Sequence, residues 1–512
     1  MAVDQWGEIG TLRLQSMRST GQKTVFLHHF NWLSLALTCF ASFLLLEMGR
    51  MIYSTKIHAL SKVPGPWFPA ASSLWIRWQR WHGRLSFTAD DLLREYGPVV
   101  RISPNMVLVN DAPSLQAVFT RQDLDTAPRA IRALRIGGHD WTVTYPRNDV
   151  ARERRRPVMV GTTTKALKYW RPIFEDNIDG MVRKLGASKG NASEDIVYHL
   201  RIATLLNSQV VMAGSQAKID PADFPHVVGE YNFLVVWRLC LPSWLFGWLK
   251  LLPVGHAAKF RVQSSDMLFK LGEHICNEAE KADPADGDDV PTVFRLLMEK
   301  QEKGAVDWTH NEISAEMAGQ VLAATETTSS ALAFIFYELA RNSSLQDSVF
   351  REVAAHPDND SLDGLKLLGA CVSEGLRFRP PVAFTGSRVV PKGGIDILGY
   401  HIPEGTVVTT QSLSLSRQRP DLFPNYDVFD PTRWLDEERL AERRRLTAPF
   451  GVGARRCPGG NMAIYQMRLI LAAVLRQYKI TSMAPFEANG FRSRFDKCFL
   501  IFTPRSAQLL NM

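Results

Sequence analysis

The chain has 512 residues, of which 46% are hydrophobic, so it is long and apolar enough to bury a large core. Its formal net charge is +8, but no stretch combines basic with stacking residues, which argues against a nucleic-acid partner. The six cysteines are scattered without CxxC spacing, so a disulfide framework and a zinc site are disfavoured and a reducing compartment is favoured.

The first predicted element is an apolar helix near the N-terminus. An apolar run extends from Trp32 to Leu46 and continues less cleanly to Tyr53, which reaches the roughly 20 residues needed to span a bilayer. A cleaved signal peptide is the competing interpretation, but charged residues rather than a small-residue cleavage site follow the run. We therefore predict a tail over residues 1–31 and an uncleaved transmembrane signal anchor over residues 32–53.

A proline-rich linker follows the predicted anchor. The segment Val63–Pro69 contains three prolines and is therefore stiff enough to hold a globular domain at a fixed angle to a membrane. We assign residues 54–69 to this linker. Residues 70–512 are assigned to one large domain, because no internal repeat or long low-complexity segment divides them.

The segment Phe233–Val254 allows two interpretations. It holds three tryptophans beside Arg238 and Lys250, a composition that suits a bilayer interface because indole is apolar with one polar end. Simple packing in the protein core accounts for the same residues equally well. Both interpretations stay open at the level of the sequence.

A long and mostly buried helix is predicted to begin at Thr309. Residues Thr309–Glu312 form a capping-box pattern, and the apolar content of Ile313–Leu339 supports a helix that ends near Asn342. At its middle, Ala323–Thr328 (AATETT) places an acid beside successive threonines. Because threonine hydroxyls can bond backbone carbonyls, we expect the helix to open locally into a pocket where water and an acid–alcohol pair supply protons to a ligand.

Two short motifs predict a buried ion-pair cluster. Glu374 and Arg377 are three residues apart, so they share one helix face and can pair. A buried pair needs a further partner, and Arg433 in the segment Phe429–Trp434 can supply it. The expected role of the cluster is structural, because it would fix the loop that follows.

The most informative segment is Phe450–Gly459, with the sequence FGVGARRCPG. Cys457 stands just before a helical pattern, with arginines at positions 455 and 456, and both the helix dipole and these charges are expected to lower the pKa of its thiol. The glycines allow backbone to approach a flat object closely. A thiolate, close backbone and arginines together suit a haem, with sulfur on the iron and guanidinium on a propionate.

This segment meets every fixed position of FGxGxRxCxG and thus resembles the haem-binding loop of the cytochrome P-450 family. The resemblance extends over roughly residues 60–505, through a proline hinge typical of microsomal members, a basic helix C, helix I, ExxR and PxR. It implies the P-450 fold, mostly α-helical with small β-sheets, preceded by an N-terminal membrane-anchor helix. The β-rich parts are expected near the start of the domain and around Arg388–Thr410.

The resemblance also assigns roles to residues. Cys457 would be the axial ligand of the iron of haem b. Glu326 and Thr327 would be the catalytic acid and oxygen-activating alcohol of helix I, although Ala324 stands where the family often has glycine. Glu374, Arg377 and Arg433 would form the structural Glu-Arg-Arg triad.

Further residues are assigned to haem binding by the same resemblance. Arg388 and Arg455 would meet the propionates, and Phe450 and Gly459 belong to the haem loop. The helix C match is loose, because Trp141 is followed by Tyr145 where an arginine is expected. An arginine cluster follows, and a solvated basic face is the ordinary interpretation of most of it. The sequence leaves open which member meets a propionate, and Arg155 is taken as the candidate. The cluster comprises Arg152, Arg154, Arg155 and Arg156.

The implied function is a monooxygenase that inserts one atom of O₂ into a lipophilic small molecule, in terpenoid or polyketide secondary metabolism of a filamentous fungus. No flavin or nicotinamide motif is present, so electrons would come from a separate NADPH-cytochrome P-450 reductase. The expected location is the endoplasmic reticulum membrane, with one membrane pass and a cytosolic domain. The alternatives are a haem-thiolate isomerase or dehydratase acting without a reductase, and a non-enzymatic haem protein.

Overall fold

The fold is known from a computed structural model that describes residues 32–121, 124–215, 222–242, 244–246, 248, 255–281, 290–304, 307–357, 362–482 and 497–505. The predicted N-terminal tail and residues 249–254 of the predicted interfacial segment lie outside these residues. The described helices, in chain order, are α1 (Trp32–Ile52), α2 (Trp67–Ala71), α3 (Leu74–Trp81), α4 (Leu85–Tyr96), α5 (Ala112–Gln116), α6 (Pro128–Arg132), α7 (Asn148–Gly161), α8 (Thr164–Leu185), α9 (Ile196–Ala213), α10 (Phe224–Cys240), α11 (His256–Lys281), α12 (Val293–Glu302), α13 (His310–Arg341), α14 (Ser343–Ala354), α15 (Lys366–Phe378), α16 (Ser412–Arg417), α17 (Leu440–Thr447) and α18 (Gly460–Gln477).

The strands are short and lie at the periphery of this helical body. They are β1 (Val99–Ser103), β2 (Met106–Val109), β3 (Ser193–Asp195), β4 (Phe384–Val389), β5 (Ile395–Ile397), β6 (Tyr400–Ile402), β7 (Val407–Gln411), β8 (Tyr478–Ser482) and β9 (Phe499–Pro504). The largest sheet in the described part of the chain has the order β1-β2-β7-β4, with β2 and β7 parallel. It joins the start of the domain to residues 384–411, so the predicted mostly helical fold with small sheets in these two regions is confirmed.

The chain divides into two compact units, residues 1–50 and 51–512. In the first unit, the described residues belong to α1, whose side chains from Leu35 onward are exposed. Residues Leu35–Ile57 form a helix that is long and apolar enough to cross a membrane, with a mean hydropathy of 1.6. This composition suits the predicted anchor.

Within the large unit, a buried arginine of β1 binds the residues that follow α1. Arg101 of β1 is only 2% exposed, and its guanidinium donates to the carbonyl and hydroxyl oxygens of Ser54 at 2.7 and 2.9 Å and to the Pro104 carbonyl at 2.7 Å. Gly65 has φ of +147°, and a Cβ there would lie 2.7 Å from the Arg101 carbonyl oxygen. The predicted linker therefore contacts β1 near both of its ends, at Ser54 and at Gly65.

Helix α13 is the central helix of the large unit. It begins with the predicted capping box, because the Thr309 hydroxyl accepts from the Glu312 N–H and the Glu312 carboxylate accepts from the Thr309 N–H. The helix ends with Asn342 as its C-cap, so both predicted ends are confirmed. Most of its side chains are buried between α9, α11 and α15, which places Glu326 and Thr327 inside the unit.

Candidate functional site

The cysteine loop lies between α17 and α18 and is closed by a backbone hydrogen bond. The N–H of Cys457 donates to the carbonyl of Phe450 at 2.8 Å. Gly453 has φ of +72°, and a Cβ there would lie 1.7 Å from the carbonyl oxygen of Phe119, so this position requires glycine. Gly459 is the N-cap of α18, so Cys457 lies just before the N-terminus of that helix, as predicted.

The surroundings of Cys457 differ in one respect from the sequence prediction. Loss of hydration raises the pKa of its thiol, and the Gly459 N–H and the charges of Arg155 and Arg456 offset this rise only in part. The Gly459 N–H and Arg456 act in the predicted direction, but the partial loss of hydration has the larger effect, so the predicted net lowering of this pKa is wrong.

Arg455 connects the cysteine loop to the segment that precedes α7. Its Nε donates to Asn148 Oδ1 at 2.6 Å, and its Nη2 donates to the carbonyls of Tyr145 at 2.6 Å and Pro146 at 2.9 Å. These acceptors are protein atoms, so the described contacts of Arg455 hold two parts of the chain together. Its predicted contact with a propionate stays a proposal.

The predicted arginine cluster on α7 separates into buried and exposed members. Arg155 is buried, donates to two carbonyls of the cysteine loop, and lies close enough to Cys457 to influence the pKa of its thiol. Arg154 is also buried but pairs with Glu312 of α13 at 3.1 Å. Arg155 is therefore the member that the fold brings to the cysteine loop. The exposed members are Arg152 and Arg156.

The loose helix C match does not describe a helix. Trp141 lies in a turn before α7, which begins at Asn148, and its ring packs against Gly319 of α13, where a Cβ would lie 2.4 Å from it. Trp141 and Arg155 therefore belong to different elements. The expected pattern of a tryptophan followed by an arginine four residues later on one helix is not formed here.

Arg388 lies on β4 and is 3% exposed. Its Nη1 donates to Thr126 Oγ1 at 3.2 Å, and its guanidinium carbon lies 5.1 Å from the centre of the Phe119 ring. Because the Phe119 carbonyl is the atom that Gly453 approaches, Arg388 and the cysteine loop share a neighbour. The fold thus brings a second buried cation to the side of the loop.

The residues around Cys457 fit a thiolate-ligated haem. Cys457 keeps exposed surface, and a Cβ at Gly459 would meet no atom within 4 Å, so the backbone at Gly459 is open to a close approach. Arg155 and Arg388 are buried cations of the kind that pairs with carboxylates. A soft sulfur ligand with cationic neighbours matches the donor set that holds haem iron and its propionates.

The buried triad comprises Glu374 and Arg377 of α15 and Arg433 of the segment before α17, and the three side chains lie together. Arg377 donates to both carboxylate oxygens of Glu374 at 2.8 and 2.7 Å, and Arg433 Nε donates to it at 3.2 Å. The Asp430 N–H at 3.0 Å and Trp434 Nε1 at 2.8 Å complete its shell. Glu374 has no exposed surface, so these donors replace its entire hydration.

The acid and the alcohol of α13 bind different parts of the protein. The helix is α-helical without interruption from His310 to Arg341, so the predicted local opening is wrong. The Thr327 hydroxyl does bond the Ala323 carbonyl at 2.7 Å, as expected, but this bond leaves the helix intact. Glu326 is 3% exposed and accepts two bonds from Arg201 of α9, each at 3.0 Å.

Sequence reasoning missed Arg201 and Trp434. Arg201 is 125 residues from Glu326, and nothing near it in the chain indicates an acidic partner. Trp434 follows Arg433 directly, and a buried indole N–H needs an acceptor, so its contact with Glu374 could have been anticipated from that rule.

Comparison with known proteins identifies the family. The family model of cytochrome P450 matches residues 63–492, and the chain belongs to the cytochrome P450 family. It is 26% identical over 466 residues to cytochrome P450 monooxygenase cypX of Dothistroma septosporum, covering 88% of this chain and 90% of that protein. The protein is accordingly a P450 monooxygenase, and this family implies a haem-thiolate cofactor and generally a reductase partner.

Two further relatives and one solved structure are informative. The chain is 28% identical to cytochrome P450 monooxygenase poxC of Penicillium oxalicum, covering 83% of this chain and 84% of that protein. It is 25% identical to the averantin hydroxylase of Dothistroma septosporum, covering 86% of this chain and 84% of that protein. The solved structure of retinoic acid-bound cyanobacterial CYP120A1 has a TM-score of 0.67, with 21% identity and coverage of 81% and 93%, which supports the fold.

Proposed function

We propose that this monooxygenase hydroxylates or epoxidises a lipophilic small molecule in fungal secondary metabolism, with a terpenoid or polyketide as substrate. The observation that carries the proposal is the cysteine loop, in which Cys457 keeps exposed surface beside the open space at Gly459. The names of the fungal relatives, among them an averantin hydroxylase, favour a pathway-specific substrate.

In this proposal the Cys457 sulfur would hold the iron of haem b, and Arg155, Arg388 and Arg455 would be the candidates to bind its propionates. Phe450 supports the loop, since its carbonyl accepts the Cys457 N–H and its ring lies 3.2 Å from a Cβ placed at Gly460. The bound cofactor supplies activation of O₂, which the thiolate favours by donating electron density. The protein supplies orientation, protons and exclusion of water.

Thr327 and Glu326 are proposed to act in proton delivery to the reaction. The Thr327 hydroxyl is partly buried and has the Ala323 carbonyl as its acceptor, which leaves its oxygen lone pairs for a water molecule. Glu326, the neighbouring acid, is proposed to set the protonation state of this water. The buried triad is proposed to act structurally, by holding the segment behind the cysteine loop.

A membrane location on the endoplasmic reticulum is proposed from the apolar N-terminal helix, with the large unit in the cytosol. A second contact with the lipid is proposed at the end of α10. Trp237 stacks on Trp81 of α3, with ring centres 6.3 Å apart, and Trp244 and Trp248 are 65% and 58% exposed. Exposed indoles in such number suit an interface between lipid and water.

Carbon monoxide difference spectra and substrate feeding test the proposal together. The reduced protein is expected to show the thiolate-type band, and a membrane preparation with reductase and NADPH should convert a candidate pathway intermediate to a product heavier by one oxygen atom. Conversion without reductase or NADPH would favour an isomerase or dehydratase. The band without any conversion in the presence of reductase, across terpenoid and polyketide intermediates, would contradict the proposed substrate class.

A further inference from the structure

Helix α9 places one arginine against the acid of α13. Arg201 Nε and Nη2 donate to the two carboxylate oxygens of Glu326, each at 3.0 Å, in the parallel two-bond geometry that guanidinium and carboxylate groups prefer. The side chains of Arg201 and Glu326 are only 7% and 5% exposed, so little water reaches this ion pair.

A second contact places α9 beside the same turn of α13. The hydroxyl of Thr204, one helical turn after Arg201, lies 3.5 Å from the carbonyl oxygen of Thr325. Thr325, Glu326 and Thr327 are consecutive, so α9 borders the turn to which the proposed proton supply belongs. Asp195, the N-cap of α9, also interacts with the Arg201 charge.

We propose that Arg201 is a positioning residue for this monooxygenase: it balances the charge of Glu326 and holds its carboxylate in a single orientation beside Thr327. The proposal deepens the proposed role of Glu326 and Thr327 and rests on it. An arginine keeps its proton at every physiological pH, so its paired carboxylate stays charged. A buried carboxylate that loses its counter-charge takes up a proton instead, because burial penalises the charged form.

The first measurement concerns protonation and needs no substrate. Infrared difference spectra of Arg201→Met minus the parent, both as purified holoprotein at neutral pH, should show an added C=O stretch of a protonated carboxylic acid. The band should be absent from the double variant Arg201→Met/Glu326→Gln, which assigns it to Glu326. A variant Arg201→Met without this band would overturn the proposal.

The second measurement separates positioning from simple stability. With a substrate that the parent protein converts, Arg201→Met should give several-fold less product per NADPH and more hydrogen peroxide, and Arg201→Lys should recover much of the loss because it restores the charge. In a Glu326→Gln background, Arg201→Met should cause no further loss of product per NADPH. An equal loss in both backgrounds would mean that Arg201 does not act through Glu326.

A remote buried pair provides the matched control. Arg417 of α16 pairs with Asp90 of α4 at 3.2 Å, with side chains 8% and 2% exposed, and neither helix carries a proposed catalytic residue. Arg417→Met should lower thermal stability but leave product per NADPH unchanged in the protein that remains folded. If no substrate is converted by the parent protein, the proposed substrate class fails while the infrared result still decides the state of Glu326.

Discussion

Two buried carboxylates of the large unit, Glu374 and Glu326, are held in different ways. Glu374 accepts hydrogen bonds from the side chains of Arg377, Arg433 and Trp434 and from a backbone N–H, so several segments fix it at once. Glu326 accepts two hydrogen bonds from Arg201, which lies on α9. The comparison shows that a buried carboxylate can join several segments of a scaffold, as Glu374 does, or pair two helices beside the proposed site, as Glu326 does.

The largest effect is expected at Cys457, the proposed ligand of the haem iron. Cys457→Ser should abolish the thiolate-type band of the reduced carbon monoxide complex while the chain still folds, because a hydroxyl is too weakly acidic to replace the sulfur. The buried Cys498, paired with no other cysteine, is a control whose change to serine should leave the band in place. An unchanged band in Cys457→Ser would mean that another residue holds the iron.

The second largest effect is expected on the stability of the protein, when Glu374 is replaced. Glu374→Ala leaves Arg377 and Arg433 as uncompensated buried charges, which should cost about 3–5 kcal/mol of the free energy of unfolding and lower the yield of haem-loaded protein. Turnover per haem should stay close to that of the parent protein, since the triad is proposed to act structurally. Haem content and denaturant unfolding measure the two quantities.

A surface acid serves as the matched control for Glu374. Glu442 also lies between two arginines, Arg419 at 3.0 Å and Arg439 at 3.0 Å, but 34% of its side chain is accessible to solvent. Glu442→Ala should leave haem content unchanged, because exposed ion pairs contribute little. Equal losses in both variants would contradict the distinction between a buried and an exposed acid.

A smaller effect on folding and a large one on chemistry are expected for Thr327→Ala. Alanine favours helix more than threonine does, so the variant should fold and bind haem and substrate. It should still consume NADPH through the reductase, while product per NADPH falls and hydrogen peroxide rises. Thr325→Ala and Thr328→Ala are the neighbouring controls, and normal coupling in Thr327→Ala would transfer the role to one of them or to Glu326.

The smallest effect on the site is expected from removal of residues 1–50. This deletion should weaken membrane attachment, and attachment should persist in part if Trp244 and Trp248 contact the lipid. Removal of residues 1–60 should also lower stability, because it deletes the Ser54 acceptors of Arg101 and the fully buried Leu60. Sedimentation with membranes and thermal unfolding distinguish the two effects, and complete solubility after removal of 1–50 would make the end of α10 ordinary core.

The sequence by itself determined the features that depend on short spacing. The loop around Cys457, the capping box at Thr309 and the pairing of Glu374 with Arg377 are local, because helix geometry and turn chemistry act over three or four residues. The family and its monooxygenase class followed from the same local motifs.

Only the tertiary structure decided which distant groups meet. The pairing of Arg201 with Glu326 and the placement of Arg155, rather than its neighbours, beside Cys457 depend on how helices pack across long stretches of chain. Local sequence patterns also did not predict the raised pKa of the Cys457 thiol or the uninterrupted helix α13. Desolvation and packing depend on everything that surrounds a group, and a sequence pattern records only its neighbours along the chain.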